Sequence, residues 1–314
     1  MKKVIVTGGA GFIGSHLAEE LVGRGYQVVI LDDLSTGKIE NIQELLKKDN
    51  VRFVRGSITN LPLLKKALQD AHFVFHLAAL SSVPRSIDNP QASHEVNVNG
   101  TLNVLLAAKE HHVKKVIYAS SSSVYGDTPT LPKKEDMIPH PLSPYAVTKL
   151  AGEYYCQVFG GVYQLPVVCL RYFNVYGPRQ DPASQYAAVI PRFIKWALAG
   201  NSPVIFGDGE QTRDFTYVKD TVEATILAAE SEACGVFNIA RGESVTINQL
   251  AKLIIELIGC DIKPVHQEPR AGDIRHSLAD ISKAKAFGYE PKYGLEAGLA
   301  ETIGWFNEKQ VKIK

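Results

Sequence analysis

The stretch Ser143-Pro144-Tyr145-Ala146-Val147-Thr148-Lys149 sets a phenol and an ammonium four residues apart, and so on one face of any helix that spans them. An ammonium near a phenol favours the phenolate. The pair therefore has the chemistry of a general base for a hydroxyl proton. Alone, the spacing is common, and a surface tyrosine with a lysine at i+4 is the plainer reading. The run Tyr118-Ala119-Ser120-Ser121-Ser122-Ser123 alters that balance. It ends a predicted strand, and open parallel sheets bind ligands at the carboxyl ends of their strands. A serine hydroxyl there can hold a substrate hydroxyl beside the phenol. One or two of the four serines are read as plain loop.

Oxidation of a hydroxyl needs an acceptor, and the N-terminus carries a place for one. The run Lys3–Thr7 leads into Gly8-Gly9-Ala10-Gly11-Phe12-Ile13-Gly14, a GxxGxxG spacing. Glycines let the chain turn tightly and bring backbone N–H groups to a pyrophosphate, at which the next helix aims its positive end. A glycine-rich turn alone is weak evidence. Here Asp32 follows about 20 residues later, at the end of the second predicted strand, where a carboxylate accepts the adenosine ribose hydroxyls and repels a 2′-phosphate. The expected cofactor is NAD rather than NADP. Asp33 and the segment Leu34–Gly37, with Ser35 and Thr36, are read as adenosine contacts, a plain turn being the alternative.

These residues must be positioned by alternating elements. Strands are predicted at Lys3–Thr7, Gln27–Asp32, Val51–Arg55, Phe73–Leu77, Lys115–Ala119 and Pro166–Tyr172, and helices at Gly11–Arg24, Leu61–Leu68, Gln91–His111 and Pro144–Phe159. Strands separated by helices imply a doubly wound parallel α/β sheet of Rossmann type. Beyond residue 175 the pattern loosens. Helices are predicted at Val189–Ala199, Ile247–Ile258, Ser282–Phe287 and Glu296–Asn307, strands at Val204–Phe206 and Val236–Ile239, and a strand then helix over Phe215–Glu230. The expected division is a dinucleotide-binding domain of residues 1–173 with a return segment at about 214–240. A smaller α/β lobe would comprise 174–213 and 241–314.

The 314 residues are 45% hydrophobic and 21% charged, with net charge +1. Those values suit a globular protein and give no electrostatic case for nucleic acid or an anionic membrane as partner. Four scattered cysteines form no CxxC pair, so no metal site is expected. The apolar start breaks at Thr7-Gly8-Gly9, too early for a signal peptide, and no stretch reaches membrane-spanning length. A cytoplasmic protein is expected.

Together, Gly8–Gly14, Asp32, His76-Leu77-Ala78-Ala79, Asn97-Val98-Asn99-Gly100-Thr101, the serine run and Tyr145…Lys149 resemble the extended short-chain dehydrogenase/reductase superfamily. Three further segments are similar to nucleotide-sugar 4-epimerases: 170–178 (LRYFNVYGP), 207–215 (GDGEQTRDF) and 270–273 (RAGD). Within those, 81–87 (SSVPRSI), 186–191 (YAAVIP) and 275–280 (RHSLAD) resemble bacterial UDP-N-acetylhexosamine 4-epimerases.

The resemblance implies a cycle in which Tyr145 takes the C4 hydroxyl proton, Ser121 orients that hydroxyl, and Lys149 tunes Tyr145 and holds the nicotinamide ribose. Hydride leaves C4 for NAD and returns to the opposite face. Cofactor positions implied are Gly8, Gly11, Phe12, Ile13, Gly14, Asp32, Ser57, Ile58, Leu77, Ala78, Ala79, Asn97 and Phe173. Implied substrate positions are Ser81, Ser122, Ser123, Asn174, Ala188, Val189, Val204, Phe206, Arg213, Arg270, Asp273 and Ser277. Two guanidinium groups, Arg213 and Arg270, suit a pyrophosphate. Ser277 stands where glucose/galactose-specific relatives carry a bulky tyrosine, which leaves room for an N-acetyl group at C2. The chain departs from the family at Ser57, where an aspartate usually meets the adenine amino group. A serine would accept that hydrogen bond more weakly.

The expected activity is 4-epimerisation of UDP-N-acetylglucosamine, with UDP-glucose also possible as substrate. Strict UDP-glucose 4-epimerisation, and UDP-uronate 4-epimerisation with Arg85 or a serine facing the carboxylate, stay open. A 4,6-dehydratase would need an Asp-Glu pair where this chain has Ser122-Ser123. A non-catalytic NAD-binding regulator fits poorly with intact Tyr145 and Lys149. Homodimerisation through the Gln91–His111 and Pro144–Phe159 helices is expected from the family resemblance.

Overall fold

The computed structural model describes residues 1–182, 188–269 and 274–311. Six strands, β1 (Lys3–Thr7), β2 (Gln27–Asp32), β3 (Val51–Arg55), β4 (Phe73–His76), β5 (Lys115–Ser121) and β6 (Val167–Tyr172), join Gly235–Ile239 in one sheet. The order is Gly235–Ile239, β6, β5, β4, β1, β2, β3, and every pairing is parallel. The chain fills one side from β1 to β3 and then crosses to β4. The switch point therefore lies between β1 and β4, where open α/β sheets form a ligand crevice.

β1 shows why both faces are covered. Val4 and Val6 pack with Leu17 and Leu21 of helix α1 (Phe12–Gly23), while Ile5 packs in the opposite layer with Leu64 and Leu68 of α2 (Leu61–Leu68). All of these side chains are fully buried, and each contributes about 1.5–3 kcal/mol relative to exposure.

The predicted helix Gln91–His111 is broken. After the short helix α3 (Val83–Asp88), Asn89 caps α4 (Pro90–His94), a π turn spans Glu95–Asn99, and α5 runs Gly100–Glu110. The wider turn carries Asn97 to two partners from different elements: Asn97 Nδ2 donates to Leu80 O at 3.1 Å and to Thr148 Oγ1 at 3.0 Å. Helix α6 (Pro144–Tyr163) runs on through Gly160 and Gly161 to Gln164, which closes it in the left-handed conformation at φ 55°.

The second half supplies α7 (Val189–Leu198), α8 (Val218–Glu230), α9 (Ile247–Ile258), α10 (Ser282–Lys285) and α11 (Leu295–Val311). α8 packs on α1, β5 and β6, and Gly235–Ile239 extends the sheet, so residues 218–239 return to the first half. Three short pairs lie outside the sheet: Val175–Tyr176 with Thr216–Tyr217, Thr212–Arg213 with Val245–Thr246, and Val204–Phe206 with Val265–Gln267.

Candidate active site

The glycine turn is tight for a physical reason. Gly8 sits at φ +70°, and a Cβ there would lie 2.7 Å from the backbone nitrogen of Ala78. A Cβ on Gly14 would lie 2.1 Å from Gly8 O. Gly11 N donates to Gly8 O at 3.1 Å, and α1 opens at Phe12 with no side-chain cap and no acid in its first turn. Gly11, Phe12 and Ile13 remain partly open while Gly14 is buried. A cradle of this kind, with uncapped N–H groups at a helix start, fits a pyrophosphate.

Asp32 is buried beside it. Its carboxylate accepts from Ala10 N at 3.0 Å and Leu34 N at 2.8 Å, and burial raises its pKa. Gly37 packs so close that a Cβ would meet Asp32 Oδ1 at 2.7 Å. Ser35 and Thr36 are exposed, and Asp33 accepts from Ser35 N at 2.9 Å, which is the plain-turn geometry. Leu77 and Ala78 are pinned to β1 by Leu77 N to Thr7 O (3.2 Å) and Ala78 N to Thr7 Oγ1 (3.3 Å), and Ala79 is half-buried.

Three expected cofactor positions are differently used. The Ser57 hydroxyl accepts from Thr59 N (3.3 Å) and Thr59 Oγ1 (3.0 Å), so both lone pairs are taken and only its proton is left to offer. Phe173 is fully buried, with its ring 6.1 Å from that of Tyr125, and the Asn97 amide is spent on Leu80 and Thr148. As placed, both support the site from behind. Ile58 packs beneath Gly100, where a Cβ would meet its Cδ1 at 2.5 Å.

At the end of β5 the catalytic candidates converge. Ser143 caps α6 by accepting from Ala146 N at 3.2 Å, and Pro144 occupies the first turn, where its missing N–H is harmless. Tyr145 N donates to Ser86 Oγ at 3.0 Å. Ser121 Oγ accepts from Ser123 N at 3.1 Å, and its hydroxyl is near enough to the Tyr145 phenol to lower its pKa. Lys149 Nζ donates to Ala119 O at 2.7 Å and lies 5.9 Å from the centre of the Tyr145 ring. Burial holds Lys149 at about 8 and pushes Tyr145 up to about 12, Ser121 offsetting part of the latter. Burial is thus the larger influence on the phenol. Ser122 and Ser123 are half-buried, and Ser81 is exposed at the start of α3.

A separate cavity of about 260 Å³ lies on the far side of the β6 end. Six expected substrate positions line it together: Asn174, Ala188, Val189, Val204, Phe206 and Arg213. The sequence reading missed Gln180, Arg192 and Gln211, which line it too. Arg192 was legible, since it follows Val189 by three residues on one helical face. Its guanidinium carbon lies 5.9 Å from the Phe206 ring centre. Ser277 is buried behind this wall, where Ser277 N donates to Thr212 O at 3.1 Å, and it does not line the cavity. Arg270 and Asp273 lie outside the described residues. Among the described residues no His, Cys, Asp and Glu cluster could hold a metal, and no helix is long and apolar enough to cross a membrane.

A glycine cradle, a buried acid beside it and a Tyr-Lys-Ser cluster at the C-terminal end of β5 fit a dinucleotide-dependent enzyme acting on a hydroxyl. The chain belongs to the NAD dependent epimerase/dehydratase family, whose model matches residues 4–240. Its cofactor is NAD. The UDP-glucose 4-epimerase of Mycolicibacterium smegmatis is 40% identical over 311 residues, 98% of this chain and 99% of that one. The structure of UDP-N-acetylglucosamine 4-epimerase from Methanobrevibacter ruminantium M1, in complex with UDP-N-acetylmuramic acid, is 46% identical. It superposes with a TM-score of 0.95 over 98% of this chain and 99% of that one. UDP-glucuronic acid 4-epimerase from Bacillus cereus, in complex with UDP-glucuronic acid and NAD, is 38% identical with a TM-score of 0.91, covering 98% and 99%.

Proposed function

We propose that the protein inverts C4 of a UDP-hexose by transient oxidation, with UDP-N-acetylglucosamine and UDP-N-acetylgalactosamine as its principal pair. The observation that carries the reading is the convergence of Ser121, at the C-terminal end of β5, with Tyr145 and Lys149 of α6, Lys149 Nζ being anchored at 2.7 Å to Ala119 O of the same strand. NAD, when bound, supplies a reversible hydride acceptor. Gly8, Gly11 and Gly14 would hold its pyrophosphate, Asp32 its adenosine ribose and Lys149 its nicotinamide ribose. Tyr145 Oη takes the proton of the C4 hydroxyl as that carbon is oxidised, and returns it when the 4-keto sugar is reduced on its other face. Ser121 Oγ holds the C4 oxygen on either face. Lys149, as ammonium, stabilises the Tyr145 phenolate while the proton is away.

The cavity of Asn174, Val189, Phe206 and Arg213 would hold the UDP group, with Arg213 at the pyrophosphate. Holding that group fast leaves the sugar as the part free to turn over. Preference for an N-acetylated sugar rests on the small side chain at Ser277. Residues 1–173 with 214–240 would form the cofactor domain, and 174–213 with 241–314 the substrate lobe. The exposed stripe Val147, Tyr154, Val158 and Val162 along α6 supports a homodimer.

The test is a side-by-side assay of UDP-N-acetylglucosamine, UDP-glucose and UDP-glucuronate without added NAD. Turnover of the first at a rate no lower than the others supports the reading. Turnover of UDP-glucose or UDP-glucuronate with none of UDP-N-acetylglucosamine would remove the Ser277 argument, and no turnover of any would remove the epimerase reading.

A further inference from the structure

Three consecutive residues of β5 grip three consecutive turns of α6. Ser121 faces Tyr145, Ala119 O accepts from Lys149, and the Ser120 hydroxyl donates to Glu153 Oε1. The third contact has no part in the proton transfer described above. Glu153 is nevertheless almost completely buried, four residues after Lys149 and so on the same face. Arg171 on β6, opposite Ser120 in register, reaches it with two bonds: Nε to Oε1 at 2.9 Å and Nη2 to Oε2 at 2.7 Å. Arg171 in turn lies 4.6 Å over the Tyr125 ring, whose hydroxyl donates to Asn238 Oδ1 at 2.7 Å.

A buried ion pair is weak evidence of stability, because desolvating two charges costs several kcal/mol per ion before their attraction is counted. A plain apolar contact would fill this space. What Glu153 does provide is a carboxylate one turn along α6 from Lys149, on the same face, where it favours the ammonium. Of the other groups facing Lys149, Tyr118 on β5, whose ring centre is 5.1 Å from Nζ, is buried, and burial pushes its hydroxyl up; the buried Cys156 on α6 favours the ammonium together with Glu153. His76 on β4 is held neutral by burial, its pKa down at about 3. Its bonds agree: Thr101 donates to Asn97 O, so His76 Nε2–H donates to Thr101, and Nδ1 accepts from Thr7.

We propose that Glu153 is a positioning residue for the reaction: clamped by Arg171 and Ser120, it holds the third turn of α6 on β5 and supplies the negative charge that the Lys149 ammonium faces. The inference rests on the proposed roles of Tyr145 and Lys149. Removing the carboxylate makes the ammonium easier to deprotonate, so the alkaline limb of activity moves to lower pH.

The test is the pH dependence of kcat and KM for E153Q and for E153Q/R171M, which also removes the stranded cation and carries the measurement if E153Q fails to fold. Y145F serves as the reference for the catalytic reading. The expected result is a kcat lower by about fivefold at pH 8, an alkaline limb shifted down by about one pH unit in both variants, and a KM within about twofold of wild type. An unshifted limb in E153Q, or a limb restored to wild type in E153Q/R171M, would overturn the proposal by showing that Glu153 only satisfies Arg171. Full activity in Y145F would instead overturn the catalytic reading beneath it.

Discussion

Lys149 Nζ sits 2.7 Å from the carbonyl oxygen of Ala119, one residue before the serine that precedes Ser121 on β5. The lysine is therefore anchored to the same strand that presents the orienting hydroxyl. The distance from lysine to phenol is fixed by the packing of α6 on β5. Gly152 makes that packing possible, since a Cβ there would lie 2.2 Å from Tyr118 Oη.

In the proposed cycle Tyr145 is the proton carrier. Y145F keeps the ring and its packing but loses the oxygen. Turnover of UDP-N-acetylglucosamine should fall by about 10²–10⁴-fold, with the fold retained by circular dichroism and the UDP affinity unchanged.

The buried ammonium sets an alkaline limit. Lys149 is held at about 8, below the ordinary lysine value, by burial. The charged form is the useful one, and it is lost as pH rises through that value. Activity measured from pH 6 to 10 should decline above about pH 8, and K149M should lack the limb because it has no proton to lose.

The glycine cradle predicts loss of the cofactor. G8A places a Cβ against the Ala78 backbone at a positive φ, which costs about 1–2 kcal/mol in backbone strain alone and forces the turn away from Leu77 and Ala78. The purified variant should carry much less NAD than wild type, read by absorbance after denaturation, and activity should depend on added NAD.

The cavity predicts a binding effect at Arg213. R213A removes a charge from the wall without touching Tyr145. KM for the UDP-sugar should rise by about 10- to 100-fold with kcat changed far less, as expected for a charge-assisted contact worth about 1.5–3 kcal/mol.

Ser277 predicts a change of preference. S277Y should depress turnover of UDP-N-acetylglucosamine relative to UDP-glucose, measured as the ratio of the two kcat/KM values. Because Ser277 lies behind Thr212, the tyrosine must project past that strand to act, and an unchanged ratio would remove Ser277 as a specificity residue.

The sheet was legible because each strand is a short apolar run between amphipathic segments. Lys3–Thr7, Gln27–Asp32 and Val51–Arg55 fall where the pattern places them. The break in Gln91–His111 was not legible, since the π turn at Glu95–Asn99 answers to Leu80 and Thr148, which are distant in sequence. The candidate set Ser121, Tyr145 and Lys149 was legible through spacing, but Glu153 was not. An acid at i+4 on a helix reads as a solvated face until Arg171 and Ser120 are seen to enclose it. The state of Tyr145 was likewise invisible, because burial is a property of the folded chain.

The central claim is that the C4 hydrogen leaves as hydride and returns to the same sugar. The most direct measurement uses UDP-N-acetylglucosamine deuterated at C4, turned over to equilibrium in ordinary water. The account predicts that the UDP-N-acetylgalactosamine formed keeps its deuterium at C4. Product carrying solvent hydrogen at C4 would contradict it, because that exchange requires removal of C4–H as a proton.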